Sequence, residues 1–282
     1  MNLILQGLNP DTAAVAKVIA AGCAEASQPA AIGAHAWRIE GVRLAGGSDA
    51  LLESACQEAR LDYALFEQQP ALADFKLLAM DMDSTLITIE CIDEIADMQG
   101  LKPQVAAITE AAMRGEIEFP ESLTRRVALL KGLDASALQR VYDERLALSM
   151  GAQPMLDAIQ AAGLKTLLVS GGFTFFTERM QQRLGLDYTH ANVLEISDGK
   201  LTGRVIGGIV DADEKQRTVE RVCAELGCST RQAIVMGDGA NDLKMMGISG
   251  MSVAFRAKPV VRRQADVALN FVGLDGILSL FA

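Results

Sequence analysis

Histidine is nearly missing from this 282-residue chain: His35 and His190 are the only two, and they stand far apart. Cysteine is sparse as well. Cys23, Cys56, Cys91, Cys223 and Cys228 are odd in number and irregular in spacing. Cys223 and Cys228 come close together, but no second pair and no neighbouring His completes a zinc set. The expectation is reduced, mostly buried thiols in a cytoplasmic protein. No run of ~18 apolar residues occurs, so no membrane span is expected. Met1 to Pro10 has no Lys or Arg ahead of its short apolar run, and a secretory signal is not expected. Positive charge is in deficit: 26 Lys and Arg against 36 Asp and Glu leave a net charge of −10. That argues against a general nucleic-acid binder or a polybasic membrane binder. An anionic small substrate stays open, because one local cation cluster can override the net field.

What the chain does have is apolar material. Half of its residues are hydrophobic, enough for a sizeable core, and its length suggests about two domains. Residues 1–73 read as a small unit with the order β-α-β-β-α-β. Its strands are Asn2–Leu8, His35–Glu40, Val42–Ala45 and Asp62–Glu67, and its helices are Thr12–Cys23 and Ala50–Arg60, the second capped by Ser48 and Asp49. A linker around Pro70 leads to a second unit, residues 74–282. There, short apolar strands at Phe75–Met80, Lys165–Val169 and Ala233–Met236 alternate with helical patterns. One such pattern is the stripe Val219, Val222, Cys223, Leu226, stopped by Gly227. This implies an α/β fold, a parallel sheet with helices on both faces. Residues 88–150 interrupt it with helical patterns around Glu90–Asp97, Leu123–Leu130 and Ala135–Leu148, which reads as a helical insert. The core is then 74–87 plus 151–282. Val193–Ser197, Asp198-Gly199 and Lys200–Ile206 read as a β-hairpin with a tight turn.

Ligands of open parallel sheets bind beyond the carboxyl ends of the strands. Three strand ends here carry unusual polar groups: Asp81-Met82-Asp83-Ser84-Thr85, Ser170-Gly171-Gly172, and Gly237-Asp238-Gly239-Ala240-Asn241-Asp242. Asp213-Glu214-Lys215 opens a helix between the last two. Asp81, Asp83, Asp238 and Asp242 would meet at one rim, and such a cluster repels itself unless a cation sits among the carboxylates. Oxygen ligands that leave room for water and phosphate suit Mg²⁺. Ser170, the amides at Gly171 and the Lys215 ammonium would then complement phosphoryl oxygens. A carboxylate can also act as nucleophile, and a second carboxyl can serve as acid and base.

These four groups, in this order, resemble the signatures of the haloacid-dehalogenase-like (HAD) phosphatases. The segments Asp81–Glu90, Leu123–Gly132 and Val169–Phe173 are similar to the phosphoserine-cleaving branch of that superfamily, over roughly residues 74–282. The resemblance implies a Rossmann-like core with a helical cap. It makes Asp81 the nucleophile and Asp83 the acid and base. It gives Mg²⁺ to Asp81, Asp238 and the Asp83 carbonyl, with Asp242 in support. Ser170, Gly171, Lys215 and Asn241 would hold phosphate. Arg126 would take the carboxylate of phosphoserine and Glu90 its ammonium, while Met113 and Phe119 would form an apolar wall. The product would be L-serine, the last step of serine biosynthesis. The first unit is similar in element order to ferredoxin-like ACT modules, which implies a homodimer and a response to serine.

Taken singly, these residues have plainer readings. Asp81 is a turn or cap residue, Lys215 a solvated helix residue, Arg126 beside Arg125 a surface charge, and Met113 and Phe119 are packing. Two other functions also stay open: a phosphotransferase to homoserine or another small hydroxyl acceptor, and an amino-acid-sensing protein with an inert core.

Overall fold

The computed structural model describes residues 1–282, the side chain of Met113 excepted. The N-terminal unit holds β1 (Asn2–Gln6), α1 (Thr12–Gly22), β2 (Cys23–Glu25), β3 (Ala30–Ala31), β4 (Ala36–Ile39), β5 (Arg43–Leu44), α2 (Ala50–Ala59) and β6 (Asp62–Phe66). Its sheet has the order β3-β4-β1-β6, and every pairing in it is antiparallel. Period-two alternation explains its burial. Leu3 and Leu5 of β1 pack with Val15, Val18, Leu52 and Cys56 of the two helices. Ile4, between them, points to the opposite face and joins the core of the larger unit with Ala64, Phe75 and Phe281.

Two expectations are corrected here. Val42–Ala45 does not continue the main sheet. Its central pair forms β5, which leaves to pair with β2, and β3 takes the edge beside β4 instead. The Asp49 side chain does not cap α2; it accepts a hydrogen bond from the Tyr63 hydroxyl at 2.9 Å.

The larger unit contains β7 (Leu77–Met80), α3 (Cys91–Asp97), α4 (Lys102–Met113), α5 (Phe119–Leu129), α6 (Ser136–Glu144), α7 (Ala152–Ala161), β8 (Lys165–Phe173), α8 (Thr174–Leu184), β9 (Tyr188–Ser197), β10 (Lys200–Ile206), α9 (Ala212–Glu225), β11 (Ala233–Gly237), α10 (Leu243–Ile248), β12 (Met251–Phe255), α11 (Pro259–Arg262) and β13 (Val267–Leu269). Its seven-stranded sheet has the order β10-β9-β8-β7-β11-β12-β13. It is parallel throughout except for β10 against β9. The β9–β10 turn has Asp198 at φ 51° and Gly199 at φ 73°, the left-handed pair that a two-residue hairpin needs. From β7 the chain first adds strands on one side, β8 and β9, and then on the other, β11 and β12. This reversal is where a doubly wound sheet opens a crevice.

Helices α3 to α6 form the insert, entered and left through two stems that zip together. Thr88 N–H donates to the Ala147 carbonyl, and Ser149 N–H to the Leu86 carbonyl, each at 3.0 Å. Helix α4 was not expected from its sequence pattern. Among the described residues no helix is long and apolar enough to cross a membrane, and all five cysteines are free thiols.

Candidate active site

Asp81 follows β7, a fully buried strand between β8 and β11. Beyond it the chain makes a tight irregular turn over Met82–Leu86, closed by Ile87 N–H donating to the Met82 carbonyl at 3.0 Å. Ser84 sits there at φ 56°, a left-handed conformation that costs energy outside glycine. The turn aims both carboxylates into the crevice. Asp81 Oδ1 accepts from Met82 N–H at 2.7 Å, and its Oδ2 lies 2.8 Å from Lys215 Nζ. Asp83 Oδ1 accepts from Cys91 N–H at 3.3 Å.

Strand β8 runs on through Ser170-Gly171-Gly172 to Phe173, which corrects the expectation that it ends at Val169. Its pairing with β9 shifts register between Val169 and Phe173, so the backbone bends and stays open to the site. Asn192 on β9 fixes the bend. Its Nδ2 donates to the Gly171 carbonyl at 2.7 Å, and its Oδ1 accepts from Val210 N–H at 2.8 Å. Glycine at 172 leaves two site side chains where they stand: a Cβ there would lie 2.8 Å from Asp83 Oδ2 and 3.1 Å from Ser170 Oγ. A Cβ at 171 would lie 2.9 Å from Cζ of Phe119, which shows that the cap's ring reaches down onto the core.

Lys215, in the first turn of α9, is fully buried. Its ammonium donates to Asp242 Oδ1 at 2.7 Å and to Asp81 Oδ2 at 2.8 Å. Burial alone would lower its pKa, but the two carboxylates outweigh burial and hold it above its ordinary value. Asp242 Oδ2 accepts from Gly239 N–H at 3.0 Å; burial pushes this carboxyl up while Lys215 works against that. The plain reading of Lys215 as a solvated helix residue is therefore wrong. Lys215 sits behind Asp81 and does not line the cavity.

Carboxylate oxygens of Asp81, Asp238 and Asp242 lie within 4.8 Å of one another. Asp238 accepts from Thr85 Oγ1 at 3.2 Å and forms no ion pair among the described residues. Burial first, then Asp81, Asp242 and Glu90, push its carboxyl up to about 7. A crowded set of oxygen donors with one cation too few fits a hard divalent ion. Asp83 is likewise raised well above the usual carboxylate range, by burial and by the charges of Glu90 and Asp81.

These residues open onto a cavity of about 460 Å³. Asp81, Asp83, Ser170, Gly171, Asp238 and Asn241 form its floor; Glu90, Phe119 and Arg126 come from the cap and its entrance. Arg126 is 9% exposed and forms no ion pair among the described residues; its Nε donates to the Ser122 carbonyl at 3.4 Å. Burial lowers its pKa, opposed by Asp93, Glu90 and Asp83. Reading Arg126 as a surface charge is thus also wrong. Glu90 accepts from Ser84 Oγ at 2.8 Å. The cavity walls raise its pKa, Ser84 opposes the rise, and Asp81 and Asp93 add to it. The side chain of Met113 lies outside the described residues.

Four contributors had no role assigned from sequence: Ser84, Thr85, Asn192 and Lys258. The first two belong to the Asp81–Thr85 motif. Asn192 reaches the site only through the long-range pairing of β9, and no local pattern marks it. Lys258 lines the cavity and donates its backbone N–H to the Asp238 carbonyl at 3.1 Å.

A family model described as haloacid dehalogenase-like hydrolase matches residues 78–247, and the chain belongs to that family. Within it, a phosphoserine phosphatase from Polaromonas sp. strain JS666 is 60% identical over 214 residues, 74% of this chain and 91% of that protein. A solved HAD family hydrolase from Salmonella enterica serovar Typhi has a TM-score of 0.85 at 34% identity, covering 100% of this chain and 99% of that one. A probable phosphoserine phosphatase from Vibrio cholerae, solved unliganded, has a TM-score of 0.81 at 33% identity, covering 99% and 85%.

Proposed function

We propose that this chain is a Mg²⁺-dependent phosphoserine phosphatase that hydrolyses O-phospho-L-serine to L-serine and phosphate. One observation carries the choice of substrate. A buried guanidinium without a carboxylate partner, Arg126, and the Glu90 carboxylate line the same cavity as Asp81 and Asp83. Phosphoserine needs a cation for its carboxylate, an anion for its ammonium and a phosphate site, and this cavity offers all three. Arg126 suits the first because a guanidinium can bind a carboxylate through two parallel hydrogen bonds.

In the first half-reaction an Asp81 carboxylate oxygen attacks phosphorus and the bond to the serine oxygen breaks. Asp83, whose pKa burial and the neighbouring Glu90 and Asp81 charges raise, gives its proton to that oxygen. In the second, Asp83 takes a proton from water as the water attacks the phosphoryl group on Asp81. Phosphate leaves and Asp81 is restored. Ser170 Oγ accepts from Gly172 N–H at 2.9 Å, so its own proton is free for a phosphoryl oxygen. Lys215 orients Asp81 and partly neutralises it. Mg²⁺, held by Asp81, Asp238 and the Asp83 carbonyl with Asp242 in support, would offset charge on the phosphoryl oxygens. Phe119, packed on Gly171, gives the cavity an apolar wall that helps exclude water from the reacting groups.

The test is a screen of phosphomonoesters with and without Mg²⁺, using wild type, Glu90→Gln and Arg126→Met. Loss of a charge-assisted bond worth roughly 1.5–3 kcal/mol predicts a ten- to hundred-fold fall in kcat/KM for phosphoserine with Arg126→Met. A substrate lacking the carboxylate, phosphoethanolamine, should be barely affected. Equal losses on both substrates would remove Arg126 from substrate choice.

A further inference from the structure

A buried carboxylate helps hold the N-terminal unit on the phosphatase core. Asp62, at the start of β6, accepts four hydrogen bonds from the segment just after β13. The donors are Asn270 N–H at 2.8 Å, Asn270 Nδ2 at 3.3 Å, Phe271 N–H at 2.9 Å and Val272 N–H at 3.0 Å. Two residues earlier in the chain, the guanidinium of Arg60 lies over the Phe271 ring, 5.3 Å from its centroid. The same junction forms the wall of an open cavity of about 540 Å³, lined by Arg60 from one unit and Arg256, Arg262 and Asn270 from the other.

Three arginines therefore line one concavity in a protein of net charge −10. No carboxylate lines it, and among the described residues none of the three arginines forms an ion pair. Arg262 Nη1 reaches only the Asn270 Oδ1 amide oxygen, at 3.4 Å. Asp62 spends its oxygens on its four donors and forms no ion pair with any of the three arginines among the described residues. Arg60 and Arg256 are, besides, two of the four non-glycine residues with positive φ, at 54° and 45°. Like charges collected without counter-charges are unfavourable in themselves. They are matched by an oxyanion, to which arginine presents paired donors.

We propose that this junction is a binding site, separate from the catalytic cavity, for a small ligand carrying phosphate or several carboxylates. Such a ligand bridges Arg60 of the N-terminal unit to Arg256 and Arg262 of the core. Its occupancy reinforces the junction that Asp62 helps hold.

Pyrophosphate titration by calorimetry tests this on metal-stripped protein dialysed free of chelator, with Arg126→Met run beside wild type to subtract any anion held in the catalytic cavity. The expected result is one site per chain, weakened about ten-fold or more in Arg256→Asn/Arg262→Gln and weakened by added salt. Asparagine tolerates the left-handed backbone at 256, and unchanged phosphatase activity of the double variant checks its fold. Wild-type crystals soaked in tungstate supply a second readout, with density expected between Arg60, Arg256 and Arg262. A tricarboxylate titrated in parallel separates a phosphate-specific site from a general oxyanion site, and binding of either anion there supports the proposal. No binding at millimolar concentration, equal affinity in the double variant, or tungstate only elsewhere would overturn it.

Discussion

Replacing Lys215 by Met is the most revealing perturbation of this site. Lys215 is fully buried and holds two carboxylates, at 2.7 and 2.8 Å. Methionine keeps much of the stem's volume and removes the charge. Asp242, also fully buried, would be left with Gly239 N–H as its one remaining donor, facing Asp81. Removing one partner of a buried ion pair costs about 3–5 kcal/mol. At roughly 2–4 °C per kcal/mol for a chain of this size, the melting temperature should fall by about 6–20 °C. The loss should depend on pH. Burial already pushes the Asp242 carboxyl up to about 7, and losing Lys215 removes the charge that opposes that rise. The stabilising contribution of neutral Asp242 is present at low pH and disappears as pH rises through its folded value. The variant's deficit should therefore shrink between about pH 8 and pH 5 in thermal melts followed by circular dichroism. A variant that melts within a degree or two of wild type at every pH would refute the claim that this ammonium holds the carboxylates together.

Two further predictions concern the floor of the cavity. Asp238 is pushed up to about 7, so its neutral form stabilises metal-free protein below about pH 4, and that contribution fades as pH rises through 7. Metal-stripped wild type should melt lower at alkaline pH than in mild acid. Mg²⁺ should restore more stability in the alkaline sample, and Asp238→Asn should flatten both effects. Gly172→Ala places a methyl 2.8 Å from Asp83 Oδ2. Overpacking of this kind costs about 1–3 kcal/mol, and steady-state assays should show kcat falling with little change in KM, because the displaced group is the acid and base.

The strands and the acidic rim were legible because short apolar runs ending in Asp, Ser or Gly carry their meaning locally. Asp81, Asp83, Ser170, Asp238 and Asn241 do converge on one cavity. What local pattern could not show was burial. Lys215 and Arg126 look solvated beside their charged neighbours, yet tertiary packing puts one behind Asp81 and the other in the cavity wall. Nor could it show that β8 continues through Ser170-Gly171-Gly172. Two glycines read as a turn, and the parallel pairing with β9, together with the Asn192 bonds, overrides that preference. The departure of β5 to pair with β2 is another long-range choice, one that a two-residue strand does not announce. Helix α4 has few buried positions and a weak apolar stripe, so its sequence gives little periodic signal.

The central claim is that Asp81 receives the phosphoryl group. Rapid acid quench of wild type turning over phosphoserine, followed by peptide mass spectrometry, tests it directly. The account predicts a hydroxylamine-sensitive phosphoryl group on the peptide bearing Asp81, absent from Asp81→Asn, whose turnover falls by about 10³-fold or more. A phosphoryl group found on another residue, or an Asp81→Asn variant with near-normal turnover, would contradict it.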